Sequence, residues 1–236
     1  MKIGHTAMVL AAGLGTRMRP LTNTKPKPLI EVAGKPLIAY GFDRLVEVGV
    51  TTAVVNAHYL PEQIIAWCKL QKTPTTFISD ETDAILDTGG GIARALPLLG
   101  PDPIFVLNSD SFWIDHGEPA LARLRHAWSD EMDCLLLLCN PQNTTGYDGH
   151  GDFIRDFDGR LTRKHNNPNG ALAYIGGYLV HPRLFIDAPK GKFSMNLLWD
   201  KAIAAHRLFG LEHHGHWLHV GTPESITEAE QFLKLE

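Results

Sequence analysis

Short apolar runs alternate with amphipathic stretches along this chain of 236 residues. Residues 7–11 are an unbroken apolar run of strand length. Residues 36–48 carry Leu37, Tyr40, Leu45 and Val48 at helical spacing and predict a helix. Residues 52–56 predict a β-branched strand, 61–70 a helix with Pro61 in its first turn, and 75–79 a short strand. Next come a predicted helix over 89–99, a fully apolar strand over 104–108, a helix over 118–128 and a buried strand over 134–139. Alternation of this kind predicts an α/β fold, a mostly parallel sheet with helices on both faces.

The texture changes at Asn140. Residues 140–170 are rich in Asn, Gly, Asp and His. Short strands are predicted over 151–156 and 161–165, with Asp158-Gly159 and Asn169-Gly170 as hairpin turns. A strand over 174–180 and helices over 194–207 and 223–235 follow. No repeat or low-complexity linker interrupts the chain, so one domain spanning 1–236 is expected.

Composition narrows the class. Hydrophobic residues make up 44% and charged residues 20%, ordinary values for a globular protein. A formal charge of −4 argues against a general nucleic-acid partner. No apolar run approaches the roughly 20 residues that span a bilayer, and the first residues lack the apolar core of a signal peptide. Cys68, Cys134 and Cys139 read as buried thiols, and with them a reducing cytoplasm is expected.

Against that acidic balance, one cluster is basic. The first apolar run leads into Gly13-Leu14-Gly15-Thr16-Arg17, and Arg17, Arg19, Lys25 and Lys27 fall within eleven residues stiffened by Pro20, Pro26 and Pro28. A glycine loop after a strand lets backbone N–H groups approach an oligophosphate closely, and the cations supply countercharge. A nucleoside triphosphate is the expected ligand, with Leu10, Ala11, Ala12, Gly13, Gly15 and Thr16 as candidate contacts. A dinucleotide fingerprint is excluded because Met18 stands where its third small residue belongs and the prolines forbid a long helix. A P-loop is excluded because Gly-Lys-Ser/Thr is absent.

The run LAAGLGTRMRPLTNTKPKPLIEVAGKPL over residues 10–37 resembles the signature of the sugar-1-phosphate nucleotidylyltransferases. The likeness continues through Asp87-Thr88-Gly89-Gly90-Gly91, Leu107-Asn108-Ser109-Asp110 and Gly215-His216-Trp217-Leu218-His219-Val220-Gly221-Thr222, and so covers nearly the whole chain. The branch it most resembles is that of the bacterial N-acetylmuramate-1-phosphate uridylyltransferases. The resemblance implies a Rossmann-like mixed sheet of the nucleotide-diphospho-sugar transferase type, with residues 1–139 as nucleotide-binding core and 140–236 on the sugar-phosphate side. It implies transfer of a nucleotidyl group from an NTP to a sugar 1-phosphate, with release of pyrophosphate and use of Mg²⁺. UTP with N-acetylmuramic acid 1-phosphate, as in cell-wall recycling, is the expected pair. Mannose-1-phosphate guanylyltransferase is the same-class alternative. A regulatory module that has lost catalysis is the different-class one, and intact Arg17, Lys27 and Asp110 argue against it.

Each expected role has a chemical reason. In-line displacement at phosphorus asks mainly for positioning and charge neutralisation. Arg17 suits the leaving pyrophosphate, since a guanidinium fork grips phosphate oxygens. Lys27, held out by Pro26 and Pro28, suits the α-phosphate, whereas Lys25 reads as an ordinary surface lysine. Asp110 follows the strand over 104–108, at the sheet edge where α/β proteins bind ligands, and is the best candidate metal ligand, and Asn108 at the end of that strand is expected to contact the nucleotide. Ser109 adds a side chain where this motif more usually carries Gly. Three glycines open the predicted helix at 89, so Thr88, Gly89 and Gly90 are expected at the flat base. For the sugar, the regions 147–152 and 174–178 offer Asp152, Gly176 and Gly177. In place of a second family carboxylate stands His219, a softer donor that admits Mn²⁺ or Co²⁺. His213, His214 and His216 read as surface or hydrogen-bonding residues rather than a zinc cluster. The sequence leaves the oligomeric state unread.

Overall fold

A computed structural model describes residues 3–165 and 170–235. In chain order the elements are β1 (Thr6–Leu10), β2 (Glu31–Val32), β3 (Lys35–Pro36), α1 (Leu37–Glu47), β4 (Thr52–Ala57), α2 (Pro61–Lys69) and β5 (Thr75–Asp80). Then follow α3 (Asp87–Leu99), β6 (Ile104–Asn108), β7 (Ser111–Ile114), α4 (Ala120–Ala127), β8 (Cys134–Cys139) and β9 (Thr144–Thr145). The remainder comprises β10 (Phe153–Arg155), β11 (Leu161–Arg163), β12 (Ala173–Val180), α5 (Met195–Ala204), β13 (Leu208–His213), β14 (His216–His219) and α6 (Pro223–Leu233).

Seven strands form the central sheet in the order β13-β8-β12-β6-β1-β4-β5, with only β12 antiparallel to its neighbours. Successive side chains of a strand point to opposite faces, so each central strand feeds two cores. Val9, Phe105 and Leu107 pack with Phe42 of α1, Ile64 of α2 and Leu124 of α4 on one side. Met8, Ile104 and Val106 pack with Ile92 of α3 and Leu198 of α5 on the other. That double burial explains why these strands read as continuous apolar runs.

A second, three-stranded sheet, β7-β14-β9, packs with α6 and Met18 over a third small core. Neither β7 nor β14 was foreseen, and neither was β13. The helix predicted over 194–207 ends at Ala204, and the chain re-enters the sheet at Leu208. Short strands that belong to a satellite sheet lack the apolar length that marks a central strand. The β10–β11 hairpin forms around Asp158-Gly159 as expected. Asn169, of the other expected turn, lies outside the described residues.

The chain leaves β1 toward β4 and returns on its opposite side at β6. Strand order thus reverses beside β1, and a crevice opens outside the carboxyl ends of the strands at that point. The cysteines are all buried and free, and burial pushes the Cys68 and Cys139 thiols up to about 12. No described helix is long and apolar enough to cross a membrane.

Candidate active site

The crevice is a cleft of about 380 Å³. Leu10, Ala11, Ala12 and Gly13 line one wall, leading out of β1, and Asn108, Ser109 and Asp110 line another, leading out of β6. A Cβ on Gly13 would meet no atom within 4 Å, so its face is open to the cleft. Gly15 has a structural task instead. Its φ of +60° turns the loop into the short helix Thr16–Met18, and a Cβ there would meet Thr22 and Lys27. Neither Gly15 nor Thr16 is among the residues that line the cleft.

Lys27 reaches in from the segment that follows. Its Nζ donates to Asp110 Oδ2 at 2.9 Å, and its side chain is only 11% exposed. Burial works to raise the Asp110 carboxyl, but Lys27, His219 and Arg17 outweigh it and hold the group below its ordinary value. Asp110 is therefore a carboxylate at neutral pH. Arg17 is exposed and is not among the residues that line the cleft, but its Nη1 and the His219 ring both lie against Gly221, where a Cβ would meet them at 3.6 and 2.9 Å. Lys25 points elsewhere, paired with Glu31 at 2.8 Å on the surface.

His219 comes to Asp110 through the satellite sheet. β14 pairs antiparallel with β7 so that His219 stands opposite Ser111, and Val220 N donates to Asp110 O at 3.1 Å. Burial lowers the His219 imidazole below its ordinary value against the upward pull of the Asp110 carboxylate, and the nearby Lys27 and Arg17 charges add to the lowering. A neutral ring with an available lone pair results. Ser109 directs its hydroxyl to Leu10 O at 2.6 Å, so the extra side chain ties the β6 loop to the end of β1. No group of three or more His, Cys, Asp or Glu able to hold a metal ion exists among the described residues. His213 is buried, and its Nε2 bonds to Ile114 O at 3.1 Å.

α3 begins at Asp87, two residues before the expected start, with Asp87 at a φ of +62°. Thr88 lines the cleft, but Gly89 and Gly90 do not. A Cβ on Gly89 would strike the Phe193 ring, and one on Gly90 would strike the Gly191 carbonyl oxygen. Their lack of side chains serves close packing of the 191–193 loop. Thr88 anchors the same loop, its Oγ1 accepting from Met195 N at 2.9 Å.

A second chamber of about 250 Å³ adjoins the first, the two sharing Leu10, Asp87, Thr88 and Asn108. Asp152 lines it with Tyr174, Tyr178, Trp199 and Asn196. Gly176 and Gly177 do not. A Cβ on Gly176, whose φ is +92°, would meet Ser111 Oγ at 2.7 Å, and one on Gly177 would meet the Trp113 ring. Both serve the crossing of β12 over β6 and β7.

Sequence reasoning missed Asn56 and Glu81. Asn56 Oδ1 accepts from Ala11 N at 2.6 Å, and Asn56 Nδ2 donates to Glu81 Oε1 at 2.8 Å, which braces the glycine loop from below. Burial pushes the Glu81 carboxyl up, against the Asn56 hydrogen bond that favours its charged form. The available signal was one polar residue at the end of an apolar β-branched strand.

A glycine loop, a buried Lys–Asp pair and a guanidinium at the switch point of an open α/β sheet together define a nucleotide-handling enzyme. The profile of the nucleotidyl transferase family matches residues 6–236, and the chain belongs to that family. It is a nucleotidyltransferase. It is 44% identical, over 96% of both chains, to a protein of Caulobacter vibrioides named N-acetylmuramate alpha-1-phosphate uridylyltransferase. A protein of the same name from Neisseria meningitidis serogroup B is 36% identical over 95% of this chain and 96% of that one. The fold matches the crystal structure of a putative glucose-1-phosphate thymidylyltransferase from Bacillus anthracis with a TM-score of 0.78 at 18% identity, covering 96% of this chain and 94% of that one.

Proposed function

We propose that this enzyme transfers the uridylyl group of UTP to N-acetylmuramic acid 1-phosphate, forming the UDP-sugar and pyrophosphate. The observation that carries the choice of sugar and base is the 44% identity to the Caulobacter vibrioides uridylyltransferase along 96% of each chain. The cleft supports the chemistry. A phosphate oxygen of the sugar 1-phosphate attacks the α-phosphorus of UTP, and the bond to the β-phosphate bridging oxygen breaks. Lys27 is buried where it can meet charge building on the α-phosphate, and a cation in such a site acts far more strongly than in water. Arg17 receives the leaving pyrophosphate. Leu10 to Gly13 offer backbone to the nucleotide, with Thr88 and Asn108 at the junction of the chambers. The adjoining chamber takes the sugar, and Asp152 is its acceptor for hydroxyls.

Asp110, with His219 beside it, fits a divalent ion. Mg²⁺ commonly binds one or two protein carboxylates and completes its shell with phosphate and water, so a three-residue cage is not needed. Bound there, the ion would neutralise phosphate charge. The deciding experiment is pyrophosphate release from a panel of four NTPs crossed with N-acetylmuramic acid, N-acetylglucosamine, glucose and mannose 1-phosphates. UTP with the muramic acid phosphate should give the highest kcat/KM. A higher value for GTP with mannose 1-phosphate would replace this reading with its same-class alternative.

A further inference from the structure

The second chamber carries one cation among its described lining residues, and that cation is Arg163. Its surroundings hold it firmly. As the last residue of β11 it pairs with Phe153 of β10, and its guanidinium lies over the Phe153 ring at 4.7 Å. Nε donates to Asp200 Oδ1 at 2.8 Å and Nη2 to the Asn196 carbonyl at 3.3 Å, both on α5. A guanidinium has five N–H donors in a rigid plane, so these two bonds orient the fork and leave donors for a ligand. Asp200 is largely exposed, so its charge is screened by solvent and cancels Arg163 only in part.

The chamber around this cation is built for a bound molecule. Tyr178 lines it with a buried hydroxyl that has no hydrogen-bond partner among the described residues. Asp87 and Asp152 also line it. Apart from the phosphate that all these substrates share, an ordinary hexose 1-phosphate offers only hydroxyls and has no need of a guanidinium. N-acetylmuramic acid differs by the carboxylate on its lactyl ether, and that anion would be repelled by Asp87 and Asp152 unless it met a cation. Charge-assisted, fork-like pairing with carboxylates is what Arg does best.

We propose that Arg163 is the specificity-determining residue of this enzyme, binding the lactyl carboxylate of the sugar phosphate. The inference rests on the muramic acid reading above. It is tested by kcat/KM with UTP for N-acetylmuramic acid 1-phosphate, its lactyl methyl ester and N-acetylglucosamine 1-phosphate. In Arg163→Gln the value for the acid should fall about 10- to 100-fold, the range of a lost charge-assisted hydrogen bond. The ester and the glucosamine phosphate should stay within about 3-fold of wild type, and Arg163→Lys should recover part of the loss on the acid. Equal losses on all three substrates would show a packing role only and overturn the proposal, as would no loss on any. A selective loss in Lys192→Gln with Arg163→Gln unaffected would also overturn it, since Lys192 is an exposed cation lining the adjoining cleft. The wild-type values judge the underlying reading separately. A wild-type enzyme that turns over N-acetylglucosamine 1-phosphate and not the muramic acid phosphate would remove that reading and this proposal with it.

Discussion

Lys25 and Lys27 stand two positions apart in one proline-stiffened segment, and their surroundings separate them. Lys27 is buried on Asp110, whereas the Lys25 side chain is 43% exposed and pairs with Glu31. Lys27→Ala should lower turnover by about 100- to 1,000-fold at saturating UTP, because a preorganised charge in a desolvated site acts directly on the transition state. Lys25→Ala should change it by less than about 3-fold, as expected of an exposed pair. Steady-state pyrophosphate release from both variants checks this, and equal losses would disprove the assignment. His219 allows a second test at this scale. With imidazole beside Asp110, activity should favour Mn²⁺ relative to Mg²⁺ more than in His219→Asp, because a carboxylate is the harder donor. Metal titrations with an unchanged ion preference would place His219 outside the ion's reach.

At the scale of elements, glycines that both lie near the cleft do different work. Gly90 sits in the first turns of α3 against the Gly191 carbonyl, and Gly13 opens onto the cleft. Alanine is the better helix former by about 1 kcal/mol. Even so, Gly90→Ala should destabilise the protein by about 1–3 kcal/mol, since a backbone oxygen has no room to yield. Gly13→Ala should leave stability within about 0.5 kcal/mol while raising the KM for UTP, because its new methyl group enters the cleft. Thermal melts together with KM values separate the two. An unchanged melting temperature in Gly90→Ala would refute the packing account of the glycine block.

The whole molecule joins a central sheet to a satellite sheet, and His213 sits at the seam. It ends β13, bonds to the Ile114 carbonyl of β7, and lies 3.7 Å from Asp115. Burial pushes its imidazole down to about 4, below the ordinary 6.5. The fold therefore favours the neutral ring. Its contribution is complete above pH 6.5 and is lost as pH falls toward 4, since the unfolded chain takes up the proton first. Between pH 7 and 5 this one group should cost about 2 kcal/mol of stability. His213→Gln keeps a donor for the Ile114 carbonyl and should flatten that slope. Denaturant melts at the two pH values provide the measurement, and equal slopes in variant and wild type would exclude His213 as the cause.

Local physics alone determined much of this protein. Strands buried on both faces must be apolar throughout, so β1, β4, β6, β8 and β12 were legible in the sequence, as were the helices between them. The glycine loop and Asp110, each following the carboxyl end of an apolar strand, and Lys27, held between two prolines, were legible from position and charge together with the motif resemblance. Other features were settled only when distant segments met. Gly89, Gly90, Gly176 and Gly177 carry the same chemical signal whether a ligand or a neighbouring backbone needs the space, and only packing told these apart. Asn56, Glu81 and Arg163 are ordinary polar residues in sequence, since their meaning lies in what faces them across the cleft. The satellite sheet, too, consists of segments too short to bury a face by themselves. Its strands exist because β7, β9 and β14 find one another, and through that meeting His219 arrives beside Asp110.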